Sequence, residues 1–276
     1  MYSASVIISF YNNTAALQCI LRSLEQQQPS IANFEVIIAD DGSSDESVAE
    51  VERFIRQTSL PIKHIHQDDI GFRKNRILNK AVHRSESEYL IFIDGDCIPQ
   101  DNFIADHLFS SEKGHVLNGR RVDLPSQYKS KLYSTDTPNQ FFSDNLLSIL
   151  FNYLKGQGKN IEKGFRIKNK ALSLFLNRKK KGIVGCNFSL FKADFMAING
   201  FNNDYEVASI GEDTDIQYRL EKNGIVVKNI FFQATMLHVI HPELPRLQQA
   251  LDILEQTINN NEIIAKNGFN EAFNKK

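Results

Sequence analysis

The sequence predicts an α/β fold: a mostly parallel central sheet flanked by helices, interrupted by a largely helical basic insertion and closed by a C-terminal helix. Two observations carry this prediction. Across residues 1–122, short runs rich in β-branched residues alternate with amphipathic stretches, the rhythm of parallel strands joined by crossover helices. Three of the chain's turns also carry polar clusters at strand ends, "YNNT", "DDGSSDE" and "DGD", which a parallel sheet gathers along one edge.

The elements follow in order. "SVIISF" (5–10) is the first strand. From Thr14 to Gln27, Leu17, Ile20, Leu21 and Leu24 share one helical face, with Thr14 the expected N-cap. "FEVIIAD" (34–40) is a second strand, and "DESVAEVERFI" a helix capped by Asp45 with Val48, Val51 and Ile55 inward. "PIKHIH" is a third, more polar strand, "RKNRILNKAV" a further helix and "YLIFID" the fourth strand. Residues 123–181 carry few strand signals and form a long excursion. "GIVGCNFSLF" (182–191) returns as a strand, and "GEDTDIQYRLEKNG" (211–224) is a helix entered through acids and closed by Gly224. "IVVKNI" and "ATMLHVIH" are strand-like. The tail from Leu247 to Ile264 is an amphipathic helix with Leu247, Leu251, Leu254 and Ile258 on one side. The divisions are 1–122, the insertion 123–181, 182–245 and the helix within 246–276, all in one domain.

Composition narrows the class. The chain has 276 residues, 42% of them hydrophobic and 24% charged, enough for a sizeable core. A formal net charge of −1 gives no global reason to expect a nucleic-acid partner. Cys19, Cys97 and Cys186 are too scattered for a disulfide framework or a thiolate zinc site, so a reducing cytoplasm is expected. The first strand begins within the first ten residues, which argues against a signal peptide, and no apolar run approaches the ~20 residues of a membrane span.

The strand ends carry the chemistry. A dinucleotide-binding enzyme needs glycines directly after its first strand, and "SFYNNT" has none. In "ADDGSSDE", a solvated turn accounts for Ser43, Ser44 and Asp45 but leaves Asp40 and Asp41 over. A carboxylate there can accept the imide N–H of a uracil ring. In "YLIFIDGDCIP" a buried strand runs into Asp94 and Asp96. Buried carboxylates are costly unless paired or metal-bound, and these oxygens suit a hard cation such as Mn²⁺ or Mg²⁺. Gly95 between them is expected to let the backbone approach a ligand.

Taken together, "SVIISFYN", "IIADDGSSDES", "DIGFRKNRILNKA" and "YLIFIDGDCIP" resemble, in order and spacing, the inverting family-two glycosyltransferases with the GT-A fold. The later "GIVGCNFSLFKADFMAINGFNNDY", "GEDTDIQYRLEKNG" and "HVIHPE" look like the branch holding bacterial chondroitin-polymerase-type and lipopolysaccharide enzymes, and animal β4-galactosyltransferases share part of the pattern. The resemblance spans roughly residues 4–245. It implies a Rossmann-like GT-A domain whose first half binds the nucleotide sugar and whose 182–245 half holds the acceptor. It further implies that Asp40 or Asp41 holds the uracil, Asp94 contacts the ribose or donor sugar, and Asp96 binds the metal. Asp213 is then the general base with Glu212 beside it, His238 the far metal ligand with His241 as second candidate, and Arg73 and Arg76 lie near the diphosphate. Without the pattern, acids in a helix first turn and lone histidines have bland readings as dipole partners and packing residues. Relatives carry G-W-G before E-D. This chain reads "ASIGED" and has no tryptophan.

The expected activity is metal-dependent transfer of a hexosyl or N-acetylhexosaminyl unit from a UDP-sugar to a glycan or lipid-linked glycan, as in bacterial surface polysaccharide or lipopolysaccharide synthesis. The alternative is a non-catalytic nucleotide-sugar-binding subunit of the same fold. Within 155–181, eight lysines and two arginines face the single acid Glu162, a net charge of +9 that leaves −10 on the rest. That segment reads either as a solvated insertion or as a peripheral contact with an anionic membrane at the inner face of the cell.

Overall fold

The alternation at the start of the chain becomes β1 (Ala4–Phe10), α1 (Thr14–Glu25), β2 (Phe34–Asp40), α2 (Asp45–Gln57), β3 (Ile62–His66), α3 (Lys74–Arg84) and β4 (Tyr89–Asp94). The structure, a computed structural model, describes residues 2–28, 33–207, 211–242 and 247–274. After β4 come β5 (Cys97–Pro99), α4 (Phe103–Ser110), β6 (His115–Asn118) and β7 (Val122–Leu124). The excursion is indeed helical, with α5 (Lys129–Ser134), α6 (Phe141–Asp144), α7 (Leu146–Leu154) and α8 (Lys170–Leu176). The chain then runs through β8 (Asn187–Phe191), α9 (Lys192–Ala197), α10 (Glu212–Lys222), β9 (Val226–Asn229), β10 (Met236–Val239) and α11 (Gln248–Asn259).

Seven strands form one sheet in the order β3-β2-β1-β4-β8-β6-β9. β1 pairs in parallel with both β2 and β4, which puts Phe10, Asp40 and Asp94 at one edge. β1, β2 and β4 are covered on both faces, which explains their near-continuous apolar sequences. One core holds Val6, Ile8, Ile38 and Ile91 under α1 and the insertion; the other holds Ile7, Ile37, Phe92 and Phe188 under α3 and α10. β8 enters antiparallel to both β4 and β6. A second, three-stranded sheet, β5-β10-β7, lies beyond the end of β4. It joins segments from the first half, the insertion boundary and the second half.

Several local expectations are corrected. The cap of α1 is Asn13, whose side chain accepts the Ala16 N–H, and Ser44 rather than Asp45 caps α2. Val51 of the predicted stripe in α2 is buried and Ile55 packs partly buried against the core, but the other fully buried positions are Ser47 and Phe54, not Val48. In α11 the buried residues are Ala250 and Thr257, while Leu247 and Ile258 are 38% and 41% exposed, and the helix stops at Asn259. Gly95 answers to packing: a Cβ there would lie 2.3 Å from the Ser9 carbonyl oxygen, so glycine lets β4 turn tightly over β1. Beyond α11 the chain folds back, and Phe269 stacks on His83 at 3.7 Å between ring centres.

Candidate functional site

The first two strand ends are laced together. Asn12, at a left-handed φ of 55°, accepts from Ser44 N–H (2.9 Å) and Ser47 Oγ (3.1 Å) while its own N–H donates to Ser43 Oγ. Asp40 is fully buried and occupied, accepting from Ser43 N–H at 2.8 Å and His64 Nε2 at 2.9 Å. Burial opposes its ionisation, but those bonds prevail and hold its carboxyl below the usual range. Asp41 sits nearer the surface. It accepts from Gln67 Nε2 (2.6 Å) and Arg73 N–H (2.8 Å), yet burial still pushes its carboxyl up, a sign that its charge is not fully matched.

At the end of β4, Asp94 Oδ1 accepts from Lys74 Nζ at 2.8 Å and Ser9 Oγ at 3.1 Å. Lys74 opens α3. Burial would lower its pKa, but Asp94, Glu212 and Asp213, in that order, raise it, so the ammonium stands among three acids.

Glu212 and Asp213 open α10. Asp213 Oδ2 accepts the Gly185 N–H at 2.8 Å, and a Cβ on Gly185 would lie 2.3 Å from Oδ1, so only glycine admits the carboxylate there. Burial first and the neighbouring Glu212 second push Asp213 up to about 7, with Lys74 and the Gly185 bond opposing. A carboxyl so tuned exchanges protons near neutrality.

The second sheet gathers the remaining acid and both histidines. Asp96 Oδ2 lies 3.5 Å from His238 Nε2 and 3.1 Å from His241 Nε2, and one ligand atom from each residue falls within 4.8 Å of the others. His238 Nδ1 donates to Asp123 Oδ1 at 2.9 Å. That bond turns Nε2 toward Asp96, and Nε2 is a buried nitrogen with no hydrogen-bond partner. Burial acts against it, but the hydrogen bond to Asp123 and the nearby Asp96 carboxylate raise His238 to about 9. Asp96, despite burial, is held well below the usual carboxylate range by His238. A preset carboxylate–imidazole pair with an orphaned ring nitrogen fits a divalent cation, and a carboxylate-buttressed histidine is the usual support for such a ligand.

Two predicted positions need correction or restriction. Arg76 does not face this edge; it is buried and its Nη1 donates to the Glu271, Ala272 and Asn274 carbonyls at 3.5, 3.4 and 3.0 Å, anchoring the C-terminal segment. Arg73 stays at the edge, its N–H on Asp41 and its guanidinium on the Asp68 carbonyl. The residues 208–210 of the tryptophan-free "ASIGED" lie outside the described residues.

Residues 5–195 match the model of glycosyl transferase family 2, more than half of the chain. The chain belongs to that family. Residues 166–242 also match the model described as the N-terminal domain of galactosyltransferase, which takes in Glu212, Asp213 and both histidines. Among curated relatives, the validoxylamine A glucosyltransferase of Streptomyces hygroscopicus subsp. jinggangensis is 27% identical over 228 residues, 80% of this chain and 52% of that protein. The chondroitin synthase of Escherichia coli is 25% identical over 240 residues, 82% of this chain and 33% of that protein. A structure of GalNAc-T7 with UDP, GalNAc and Mn²⁺ superimposes with a TM-score of 0.65 at 14% identity, covering 92% of this chain and 48% of that one, which establishes the GT-A fold. The chain spans about half the length of the first curated relatives it matches.

Within this family-2 domain, sequence reasoning missed Lys74 and Asp123. In the sequence Lys74 is one more basic residue at a helix start, beside Arg73 and Arg76. Asp123 offered no signal, since it lies 115 residues from the histidine it orients.

Proposed function

We propose that this chain moves a sugar from a UDP-sugar to a hydroxyl of a glycan acceptor, inverting the anomeric carbon. The observation that carries the reading is the grouping of Asp94, Lys74 and Asp213: a donor-side acid bonded to one lysine, and a neutral-range base close enough to feel that lysine's charge. With Asp40 committed to its loop, Asp41 is left to accept the uracil imide N–H. Asp94 would meet the ribose or the donor sugar, and Lys74 supplies positive charge between donor and acceptor acids. Gly185 holds one oxygen of Asp213, leaving the other to take the proton from the acceptor hydroxyl. As the acceptor oxygen, giving its proton to Asp213, bonds to the anomeric carbon, the bond to the diphosphate breaks and UDP departs with its electrons, so an α-linked donor yields a β-glycoside. Glu212 would touch the acceptor. Asp96, His238 and His241 would hold Mn²⁺ or Mg²⁺, which when bound supplies charge opposite the diphosphate.

The similarity to chondroitin synthase supports a hexosyl or N-acetylhexosaminyl transfer in bacterial surface polysaccharide synthesis. A cytoplasmic site at the inner membrane face, with a lipid-linked acceptor, suits the basic segment 155–181. Among the described residues no helix is long and apolar enough to cross a membrane. The test is thermal stability with UDP-sugars, NAD and Mn²⁺, since a ligand that binds the folded state raises its stability, together with UDP release. UDP should protect only with the metal present. Equal protection by NAD, or none by any UDP compound, sinks the assignment.

A further inference from the structure

Helix α7 is apolar on both sides. Ile149 is 1% exposed, and Leu146 and Leu150 pack against the core, which fixes the helix in place. Its outer stripe is Leu147, Phe151 and Leu154, at the i, i+4, i+7 spacing of one helical face, and these are 85%, 58% and 85% exposed. In α8, Leu172, Phe175 and Leu176 are exposed at the same kind of spacing. Large apolar side chains presented as a stripe mark an interaction surface.

The charge beside the stripe indicates its occupant. Lys155 Nζ lies 4.1 Å from the Phe151 ring centre, and the Arg178 guanidinium 3.8 Å from that of Phe175. Among the described residues, Lys155, Lys159, Lys168 and Lys179 to Lys181 form no ion pair, whereas Arg166 is consumed by Asp106. The basic run is also no loose tail. Asn229 Nδ2 donates to the Asn177 and Lys179 carbonyls, and Asn118 Nδ2 to those of Lys181 and Gly182. This lashes the backbone of 177–182 to the edge of the main sheet and leaves the cationic side chains outward.

We propose that the outer stripe of α7, with α8 and the basic run, docks the enzyme on an anionic lipid bilayer, the leucines and phenylalanines entering the headgroup layer and the lysines meeting acidic headgroups. This rests on the membrane reading of segment 155–181 and extends it to an apolar anchor that precedes that segment. Aliphatic leucines favour lipid over nucleic acid, which offers stacking faces and phosphates but no hydrocarbon. A net charge of +9 on the segment opposes pairing with a second copy through the same face.

The test is flotation of the full chain with vesicles containing phosphatidylglycerol and with vesicles of phosphatidylcholine alone, across a salt series. Binding should require the anionic lipid and weaken as salt rises, because the screening length falls from ~10 Å at 0.1 M to ~3 Å at 1 M. Changing Arg178, Lys179, Lys180 and Lys181 to Gln should cut it roughly fivefold per charge. A Leu147→Ser, Phe151→Ser, Leu154→Ser variant should lose about tenfold or more even at low salt. Both variants should release UDP from donor in solution at the wild-type rate. Loss with the charge variant alone leaves the electrostatic contact standing and overturns the apolar anchor. Equal binding to both vesicle types, indifference to both variants, or retention by RNA in place of vesicles overturns the proposal. Absence of UDP release in every protein, with vesicle binding intact, would instead remove the catalytic reading and leave the docking surface.

Discussion

Replacing Asp213 by Asn tests the proposed base through two independent quantities. The amide keeps a carbonyl oxygen to accept the Gly185 N–H, so the start of α10 is expected to hold. It cannot take a proton from the acceptor. General-base catalysis contributes typically ~10²–10⁴-fold, so transfer should fall by that much while UDP-sugar affinity is kept. In the wild type, burial and Glu212 hold the carboxyl at about 7, with Lys74 and Asp94 also facing it. Transfer should therefore rise with pH, and a fall from pH 7 to 6 should cost about fivefold as the ionised fraction drops from about one half to about one tenth. Stability supplies the second quantity. A carboxyl raised from 3.8 to about 7 binds its proton more tightly in the folded state than in the unfolded one. Its contribution to stability is therefore present at low pH and is lost as pH rises through that window. The full difference corresponds to about 4 kcal/mol. Asn carries no such penalty. The variant should gain on wild type in Tm as pH rises from about 4 to about 7 and hold a constant advantage above it. Steady-state transfer and thermal melts across pH read both effects. Wild-type transfer by Asp213→Asn would refute the assignment and turn attention to Glu212. A Tm difference that does not vary with pH would refute the burial argument.

Asp123→Asn should weaken Mn²⁺ binding about 10–100-fold by freeing the His238 ring, without removing a ligand; His238→Ala and Asp96→Ala should lose more, as titration calorimetry with Mn²⁺ alone would show. Should His241→Ala weaken Mn²⁺ while His238→Ala does not, the two histidines have been ranked in the wrong order. Arg76→Met should leave UDP affinity intact but destabilise the protein by ~1–3 kcal/mol and expose the C-terminal segment to hydrogen exchange, because three carbonyls lose their donor. Lost UDP affinity would restore the diphosphate role. Gly95→Ala should cost ~1–3 kcal/mol by forcing β4 away from the Ser9 carbonyl, measured by urea unfolding, and an unchanged midpoint would show that the turn can relax.

Periodicity alone determined the run from β1 to β4, because an apolar stripe reports which face of an element is buried. The boundaries of β2 and β4 fall on the predicted "FEVIIAD" and "YLIFID". The strand-end acids were legible for the same reason, since a parallel sheet places successive carboxyl ends at one edge. Burial also says that a face is covered without saying by what. Arg73, Lys74 and Arg76 sit within one turn of α3, and only the rotation of that helix against the sheet sends Arg76 to the C-terminal segment and Lys74 to Asp94. The charge pattern of the sequence could not separate them. Likewise Asp40, the last residue of β2, is fully buried against His64, while Asp41, just past the strand end, lies slightly nearer the surface. The β5-β10-β7 sheet is the clearest case. Asp96, Asp123 and His238 come together from three separate segments, and the short strands that carry Asp123 and His238 and follow Asp96 have too few residues to show a period. What joins them is backbone pairing across more than a hundred residues of chain, a contact that is decided only when the whole domain closes.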